Sequence, residues 1–243
     1  MLFSKYYKMN VLITGTSSGI GYGLALEFLK RGEIVWGISR RISDELEKYE
    51  NYRHLQLDLT DYSKVESQLP GFVADATSFD LLILNAGILG DIKWMSEIGV
   101  DAMTKVMEVN VWANKSLLDI LFSQKSDIKQ VVGISSKASL RSTPGWGPYS
   151  MSKAGLNMLM NIYAKEYPDT HFIAFAPGLV DSEIQEEIYN IKDTDKYPST
   201  KKLQDARYTE LMPDGVSAAK MLIEGIKKSL GYESGSFTDV RDM

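Results

Sequence analysis

The sequence predicts a single α/β domain in which a parallel sheet is wound on both faces by helices. Three observations carry this. Short apolar, β-branched runs alternate with helical patterns along almost all of the 243 residues, the order that builds βαβ units. The first run, Asn10–Thr14, passes directly into Gly15-Thr16-Ser17-Ser18-Gly19-Ile20-Gly21 and then into a helical stretch. No repeat, low-complexity tract or linker interrupts the alternation. With 44% hydrophobic and 24% charged residues the chain has enough apolar material for a full core.

The elements follow in order. The helix after the glycine-rich turn runs through Leu24–Arg31 and stops at Gly32. Glu33–Ser39 is the second strand. Asp44–Tyr49 has helical character, and His54–Asp58 is the third strand, with Asp58-Leu59 at its carboxyl end. Asp61–Leu69 and Phe72–Thr77 surround Pro70-Gly71, expected as a break between or within helical segments. Asp80–Leu84 is a strand ending in Asn85-Ala86-Gly87. Ile98–Phe122 carries a long helical pattern with Asn110 at its centre, a poor helix former whose presence suggests a polar task. Gln130–Ser136 and Thr170–Phe175 are strands, the second followed by Pro177-Gly178-Leu179-Val180-Asp181-Ser182. From Tyr189 to Met212 the chain is polar and poorly patterned, as in a lid or binding loop. Pro213–Leu230 is the last helix and Gly235–Val240 the last strand.

Composition removes several functions. The net charge is −5 with no dense Lys/Arg block, so neither nucleic acid nor an anionic membrane is the expected partner. The absence of cysteine excludes disulfides, thiolate-bound zinc and a thiol nucleophile. His54 and His171 lie far apart in strand-like runs, and no metal site is expected. Residues 1–9 lack the long apolar core of a signal peptide, and no stretch approaches membrane-spanning length. A cytoplasmic protein is therefore expected.

Two patterns carry chemistry. A strand, a glycine-rich turn and a helix form a phosphate cradle: the helix presents free N–H groups and its positive end to a pyrophosphate, and the glycines permit close backbone approach. Gly15, Ser17, Ser18, Gly19, Ile20 and Gly21 are thus candidates for a dinucleotide. At the end of the second strand stands Ser39-Arg40-Arg41, where an acid would bind a ribose hydroxyl. A hydroxyl beside a guanidinium suits a 2′-phosphate instead, so NADP(H) is preferred over NAD(H). The second pattern is Tyr149-Ser150-Met151-Ser152-Lys153 at the start of a helix reaching about Lys165. Positions i and i+4 lie side by side, and a cation beside a phenol lowers its pKa. That makes Tyr149 a proton donor usable near neutral pH, as carbonyl reduction requires.

Taken together, Thr14-Gly15-x-x-x-Gly19-x-Gly21, Asp58, Asn85-Ala86-Gly87, Asn110, Ser136, Tyr149-x-x-x-Lys153 and Pro177-Gly178 resemble the short-chain dehydrogenase/reductase family, in its order and along almost the whole chain. The resemblance implies a single Rossmann-type domain around a seven-stranded parallel sheet and a catalytic set of Asn110, Ser136, Tyr149 and Lys153. Ser136 would polarise the substrate carbonyl, Tyr149 would donate the proton, Lys153 would bind the nicotinamide ribose, and Asn110 would position a water beside Lys153. Asp58, Leu59, Asn85, Ala86, Gly87, Pro177, Gly178, Val180 and Ser182 complete the implied cofactor site. Ser18 stands where many NADP-binding members carry a basic residue, so the NADP expectation rests on Arg40.

The C-terminal third is similar to sepiapterin reductase-like and benzil reductase-like members. Asp239 falls near the position of their pterin-anchoring acid, and Trp146, with Trp94 in another loop, suits a planar substrate. A homodimer or homotetramer acting on a small-molecule carbonyl is implied. Two rivals share parts of this pattern. A sugar-nucleotide epimerase or dehydratase needs a longer chain after Tyr149. A regulator that binds nucleotide without catalysis would not need the full catalytic set.

Overall fold

A computed structural model of the chain describes residues 7–124 and 127–243. The expectation about residues 1–9 lies largely outside the described residues. The elements are β1 Asn10–Thr14, α1 Gly19–Lys30, β2 Ile34–Ser39, β3 Tyr52–Gln56, α2 Tyr62–Phe72, β4 Ser78–Phe79, β5 Leu81–Leu84 and α3 Val100–Met107. They continue with α4 Ala113–Ser123, β6 Asp127–Ile128, β7 Gln130–Ile134, α5 Gly147–Glu166, β8 His171–Ala176, α6 Glu183–Tyr189, α7 Pro198–Ala206, α8 Gly215–Ser229 and β9 Phe237–Asp239.

Among the described residues the main sheet has seven strands, in the order β3-β2-β1-β5-β7-β8-β9, and all its pairings are parallel. Parallel strands need crossovers, and helices supply them on both faces. Side chains alternate accordingly. Leu12, Leu82, Leu84, Val131 and Phe172 enter one apolar layer with α2, α4 and α5. Val11, Ile13, Ile83, Val132 and Phe175 enter the other with α1 and α8. Strand order reverses between β1 and β5, which opens a crevice at the strands' carboxyl ends, where ligands bind in such sheets.

Several local expectations change. Helix α2 runs through Pro70 to Phe72 instead of breaking there. Pro70 lies in the last turn, where its missing N–H removes one hydrogen bond. The Asp44–Tyr49 stretch shortens to a single 3₁₀ turn, Leu46–Lys48. The long helix of residues 98–122 is two helices joined by a π-turn, Glu108–Trp112, with Asn110 buried inside it. The expected irregular stretch of residues 189–212 contains α7. Two polar residues hold it: the Gln204 amide donates to the carbonyls of Ile188, Tyr189 and Ile191. Arg207 pairs with Asp181 at 3.0 Å and Glu186 at 2.6 Å. An apolar-period reading has no means of seeing a helix fastened this way.

Candidate active site

A cleft of about 1500 Å³ opens above the carboxyl ends of β1, β2, β5, β7 and β8. Its floor at one end is the glycine-rich turn. Gly15 has φ +76°, a left-handed conformation, and a Cβ there would sit 2.8 Å from Asn85 Nδ2. At Gly21 a Cβ would lie 2.2 Å from the Gly15 carbonyl, so Gly21 packs beneath the turn and does not reach the wall. Asn85 ties this turn to β5: its amide donates to the carbonyls of Thr14 and Gly15, at 2.9 and 3.3 Å. Ser18 is the N-cap of α1 without its side chain capping the helix, and Ser17 and Ser18 line the cleft there. Bare backbone, an N-terminus and hydroxyls in the wall fit a pyrophosphate.

The next wall is the turn after β2. The structure changes the expectation for Ser39. Its one proton goes to the Arg41 carbonyl at 2.7 Å, and its oxygen contacts His54 Nε2 and Thr16 Oγ1. Ser39 therefore holds the turn and has no proton left for a phosphate. Arg41 pairs with Glu183 at 2.6 Å, whereas Arg40 takes no ion pair among the described residues. Both arginines line the cleft. Arg40 is thus the guanidinium at this end without an ion pair among the described residues, its charge acting on the nearby Asp58 carboxylate. Asp58 and Leu59 line the cleft beside it, with Asp58 Oδ1 accepting from Thr60 N–H and hydroxyl.

At the other end stand Ser136, Tyr149 and Lys153. Strand β7 ends at Ile134, so Ser135 and Ser136 are not bound to opposite faces. The Ser135 hydroxyl donates to Asn157 Oδ1 at 2.5 Å. Ser136 Oγ accepts from Ala138 N–H and keeps its proton for the cleft. Helix α5, begun by Pro148 in its first turn, carries Tyr149 and Lys153 on one side. The Lys153 ammonium donates to the Ile134 carbonyl at 2.7 Å and stands 5.6 Å from the Tyr149 ring centroid.

The expected acidification of the phenol is not what this geometry produces. Burial pushes Tyr149 up to about 12, with the Ser136 hydroxyl acting in the opposite direction. Burial brings Lys153 down to about 8. The ammonium is hydrogen-bonded to the Ile134 carbonyl and stands over the Tyr149 ring. Tyr149 is consequently a protonated donor throughout the neutral range, and Lys153 is the group that titrates near it.

Asn110 is fully buried and does not reach the cleft wall. Its Oδ1 accepts from Ile88 N–H, and its amide donates to the Ile88 carbonyl and to Ser152 Oγ. Instead of presenting its side chain to a water, Asn110 fastens the Asn85–Ile88 turn to α5. A Cβ on Gly87 would lie 3.1 Å from Asn110 Oδ1 and 3.4 Å from Lys153 Nζ. Gly87 is therefore what lets Asn110 and Lys153 share this corner.

Asp239 also departs from expectation. Its carboxylate is buried, chelated by Arg241 at 2.8 and 2.6 Å and flanked by Lys137 at 3.4 Å. Burial alone would raise its pKa, but the Arg241 bonds hold it below the usual range. Arg241 and Lys137 line the cleft in its place. Trp146 lines the cleft with its ring edge-on to Tyr149 at 6.0 Å and its indole N–H on Ser199. Together with Leu89 and Ile188 they form a small apolar cluster of their own. Trp94 is half exposed and lies outside the wall.

Ala86, Pro177, Gly178, Val180 and Ser182 line the cleft with the residues above. Sequence reasoning missed Gln185, Ile188 and Arg241, and reached Lys202 and Leu203 only as part of the 189–212 stretch. Gln185 lines this wall, and its Oε1 is buried without a protein hydrogen-bond partner. The approach of residues 183–203 to Tyr149 is a tertiary fact with no local signal.

A parallel doubly wound sheet with a glycine cradle at its switch point, and a Ser–Tyr–Lys cluster at the far end, defines a nicotinamide-dinucleotide oxidoreductase. The family model for short chain dehydrogenases matches residues 9–193, and the chain belongs to that family. It is 31% identical over 246 residues to a benzil reductase, (S)-benzoin forming, of Bacillus subtilis, covering 95% of this chain and 98% of that one. It is 30% identical over 193 residues to an NADPH-dependent pterin aldehyde reductase of Arabidopsis thaliana, covering 72% and 76%. A short-chain dehydrogenase/reductase structure from Saccharomyces cerevisiae superposes with a TM-score of 0.81 at 26% identity, over 96% of each chain. The protein is thus an NAD(P)-dependent dehydrogenase/reductase, an oxidoreductase acting on small molecules. No helix among the described residues is long and apolar enough to cross a membrane.

Proposed function

We propose that the protein reduces a ketone or dicarbonyl, aryl or pterin-like, with NADPH, and that Tyr149 is the general acid. The chain would act as one dinucleotide-binding unit, with residues 189–212 shaping the substrate end. The single observation that supports this most is the Ser136–Tyr149–Lys153 corner. A protonated phenol and the neighbouring Ser136 hydroxyl face the cleft there, beside the apolar side chains of Trp146 and Ile188 that also line it. The cofactor, when bound, supplies the hydride.

The chain's own residues do the remainder. Ser136 donates a hydrogen bond to the substrate oxygen, which stabilises negative charge as it develops. Tyr149 passes its proton to that oxygen. Its high pKa keeps the proton in place until the oxygen becomes more basic than the phenolate. Lys153, charged below about pH 8, stabilises the phenolate left behind. It is held in position by the Ile134 carbonyl. Trp146 and Ile188 exclude water and seat a flat, apolar group.

NADPH is favoured by the Arg40 guanidinium, since a 2′-phosphate gains a charged bidentate partner that a 2′-hydroxyl does not need. The names of the two relatives, a benzil reductase and an NADPH-dependent pterin aldehyde reductase, agree with both parts. The cofactor assignment is tested by kcat/KM for NADPH and NADH in the wild type and in Arg40→Ala. The expected wild-type preference is for NADPH, reduced about tenfold or more by the substitution. A wild-type preference for NADH would refute it.

A further inference from the structure

Four polar side chains lie beneath the turn that carries Arg40, and none belongs to the catalytic set. Thr16 and Ser39 are fully or almost fully buried, at 0% and 6% exposure. Tyr52 and His54 come from β3 and are half-buried. Tyr52 OH and Thr16 Oγ1 are 3.0 Å apart, Thr16 Oγ1 and Ser39 Oγ 3.2 Å, and His54 Nε2 and Ser39 Oγ 2.9 Å.

The proton order follows from the far end. A carbonyl only accepts, so the Ser39 proton goes to the Arg41 carbonyl at 2.7 Å. Ser39 must then accept from both Thr16 and His54. Thr16, having donated, must accept from Tyr52. His54 is consequently the Nε2–H tautomer. A second group from β3 acts on the same turn: the Gln56 amide donates to the Arg40 carbonyl at 3.0 Å. Both carbonyls of Arg40-Arg41 are thus drawn inward by β3 and Ser39.

Thr16 belongs to the glycine-rich turn and Ser39 to the arginine turn. The chain of hydroxyls therefore joins the pyrophosphate end of the cleft to its ribose end. It needs Gly37 beneath it: a Cβ there would lie 2.3 Å from Tyr52 OH and 2.8 Å from Thr16 Oγ1. Buried hydroxyls with every proton assigned hold one geometry, because any rearrangement leaves a donor or acceptor unpaired.

We infer that Tyr52 and His54 are positioning residues for cofactor selectivity: through Thr16 and Ser39 they fix the Arg40 turn at the distance from the phosphate cradle that a 2′-phosphate requires. They touch no ligand themselves. The inference rests on the NADP reading above, and the experiment separates the two.

The probes are 2′,5′-ADP, which carries the 2′-phosphate, and 5′-AMP, which does not, titrated by calorimetry into the wild type, Tyr52→Phe, Thr16→Val, His54→Phe and His54→Gln. The wild type binds 2′,5′-ADP more tightly. Tyr52→Phe, Thr16→Val and His54→Phe weaken 2′,5′-ADP about five- to twentyfold and weaken 5′-AMP less than twofold. His54→Gln keeps an N–H donor and retains most of the preference. In turnover, the first three variants raise KM for NADPH more than KM for NADH, with kcat at saturating NADPH little altered.

If both probes weaken equally, the network merely supports the fold and the inference is overturned. A preference unchanged in all four variants overturns it as well. Tyr52→Phe, which removes one oxygen, keeps the test decisive if a larger change unfolds the chain. A wild type that binds the two probes equally removes the NADP reading and takes this inference with it.

Discussion

Lys153 is nearly inaccessible, at 3% exposure, and its ammonium rests on a single carbonyl. Burial takes its pKa from an ordinary 10.5 to about 8. The sign for stability follows. Between pH 8 and 10.5 the unfolded chain holds a proton that the native chain has released, so native stability rises with pH in that window. In Lys153→Met that rise should vanish, and at pH 7 the variant should be more stable by on the order of 1–3 kcal/mol. Thermal denaturation against pH measures both effects. For activity the sign is opposite: reduction needs the ammonium and should decline as pH rises through about 8. A reductive pH profile flat to pH 10 would exclude a charged Lys153 from the reaction. At this scale the residue identities were readable from spacing alone, but the electrostatics were not. The i, i+4 spacing placed Lys153 beside Tyr149, yet burial and the Ile134 carbonyl, both tertiary, decide which group titrates.

Among the elements, α6 and α7 form the movable-looking wall of the substrate end, but they are fastened. Arg207 is 7% exposed at its side chain, paired with Asp181 and Glu186. Its guanidinium sits against the Tyr189 and Tyr208 rings, 5.1 and 4.7 Å from their centroids, and those rings pack edge-to-face on each other. Asp181 follows the Pro177-Gly178 segment, so Arg207 ties the wall to the floor of the cleft. Arg207→Ala should lower stability by about 1–3 kcal/mol; Glu186 is largely exposed, so the figure is kept below that of a fully buried pair. It should also raise substrate KM and speed amide hydrogen exchange in α6 and α7. Unchanged exchange there would show that Arg207 is not the fastening. These two helices were the part of the fold least legible beforehand. In α7 only Thr200 and Ala206 are buried, Leu203 alone packs on the apolar cluster beside Trp146, and the rest of its anchoring is polar, so the hydrophobic period is too sparse to be read. Helix α5 shows the contrast: Leu156, Leu159, Met160 and Tyr163 are buried in one stripe, which the sequence displays openly.

Across the molecule, the sheet brings two chemically separate ends into one cleft. The cradle at Gly15–Ile20 and the Ser136–Tyr149–Lys153 corner are far apart in sequence and lie on the same carboxyl edge. The order of motifs shows this arrangement, because the cradle and Ser136 each fall just after a strand, while Tyr149 and Lys153 stand at the start of the helix that follows. What escaped were side-chain pairings that motif order does not name: the Ser39 proton on the Arg41 carbonyl and Asp239 chelated by Arg241, each only two residues away, and Asn110 fastened to Ile88 from the π-turn. The first two depend on how the chain turns at the end of a strand, the third on tertiary packing. Backbone approach at the cradle makes a sharp prediction. Gly21→Ala places a methyl 2.2 Å from the Gly15 carbonyl, so the variant should lose the thermal stabilisation that NADPH gives. For the wild type that stabilisation is about 2.7 kcal/mol at a hundredfold excess over Kd. An equal NADPH-induced shift in Gly21→Ala would contradict the placement of the dinucleotide.

The most direct measurement is the rate of NADPH oxidation with benzil by the wild type and by Tyr149→Phe, with cofactor-induced stabilisation recorded for both. Turnover in the variant should fall by about 10²–10⁴-fold while NADPH still stabilises the fold. A variant that binds NADPH and reduces benzil at the wild-type rate would contradict Tyr149 as the proton donor.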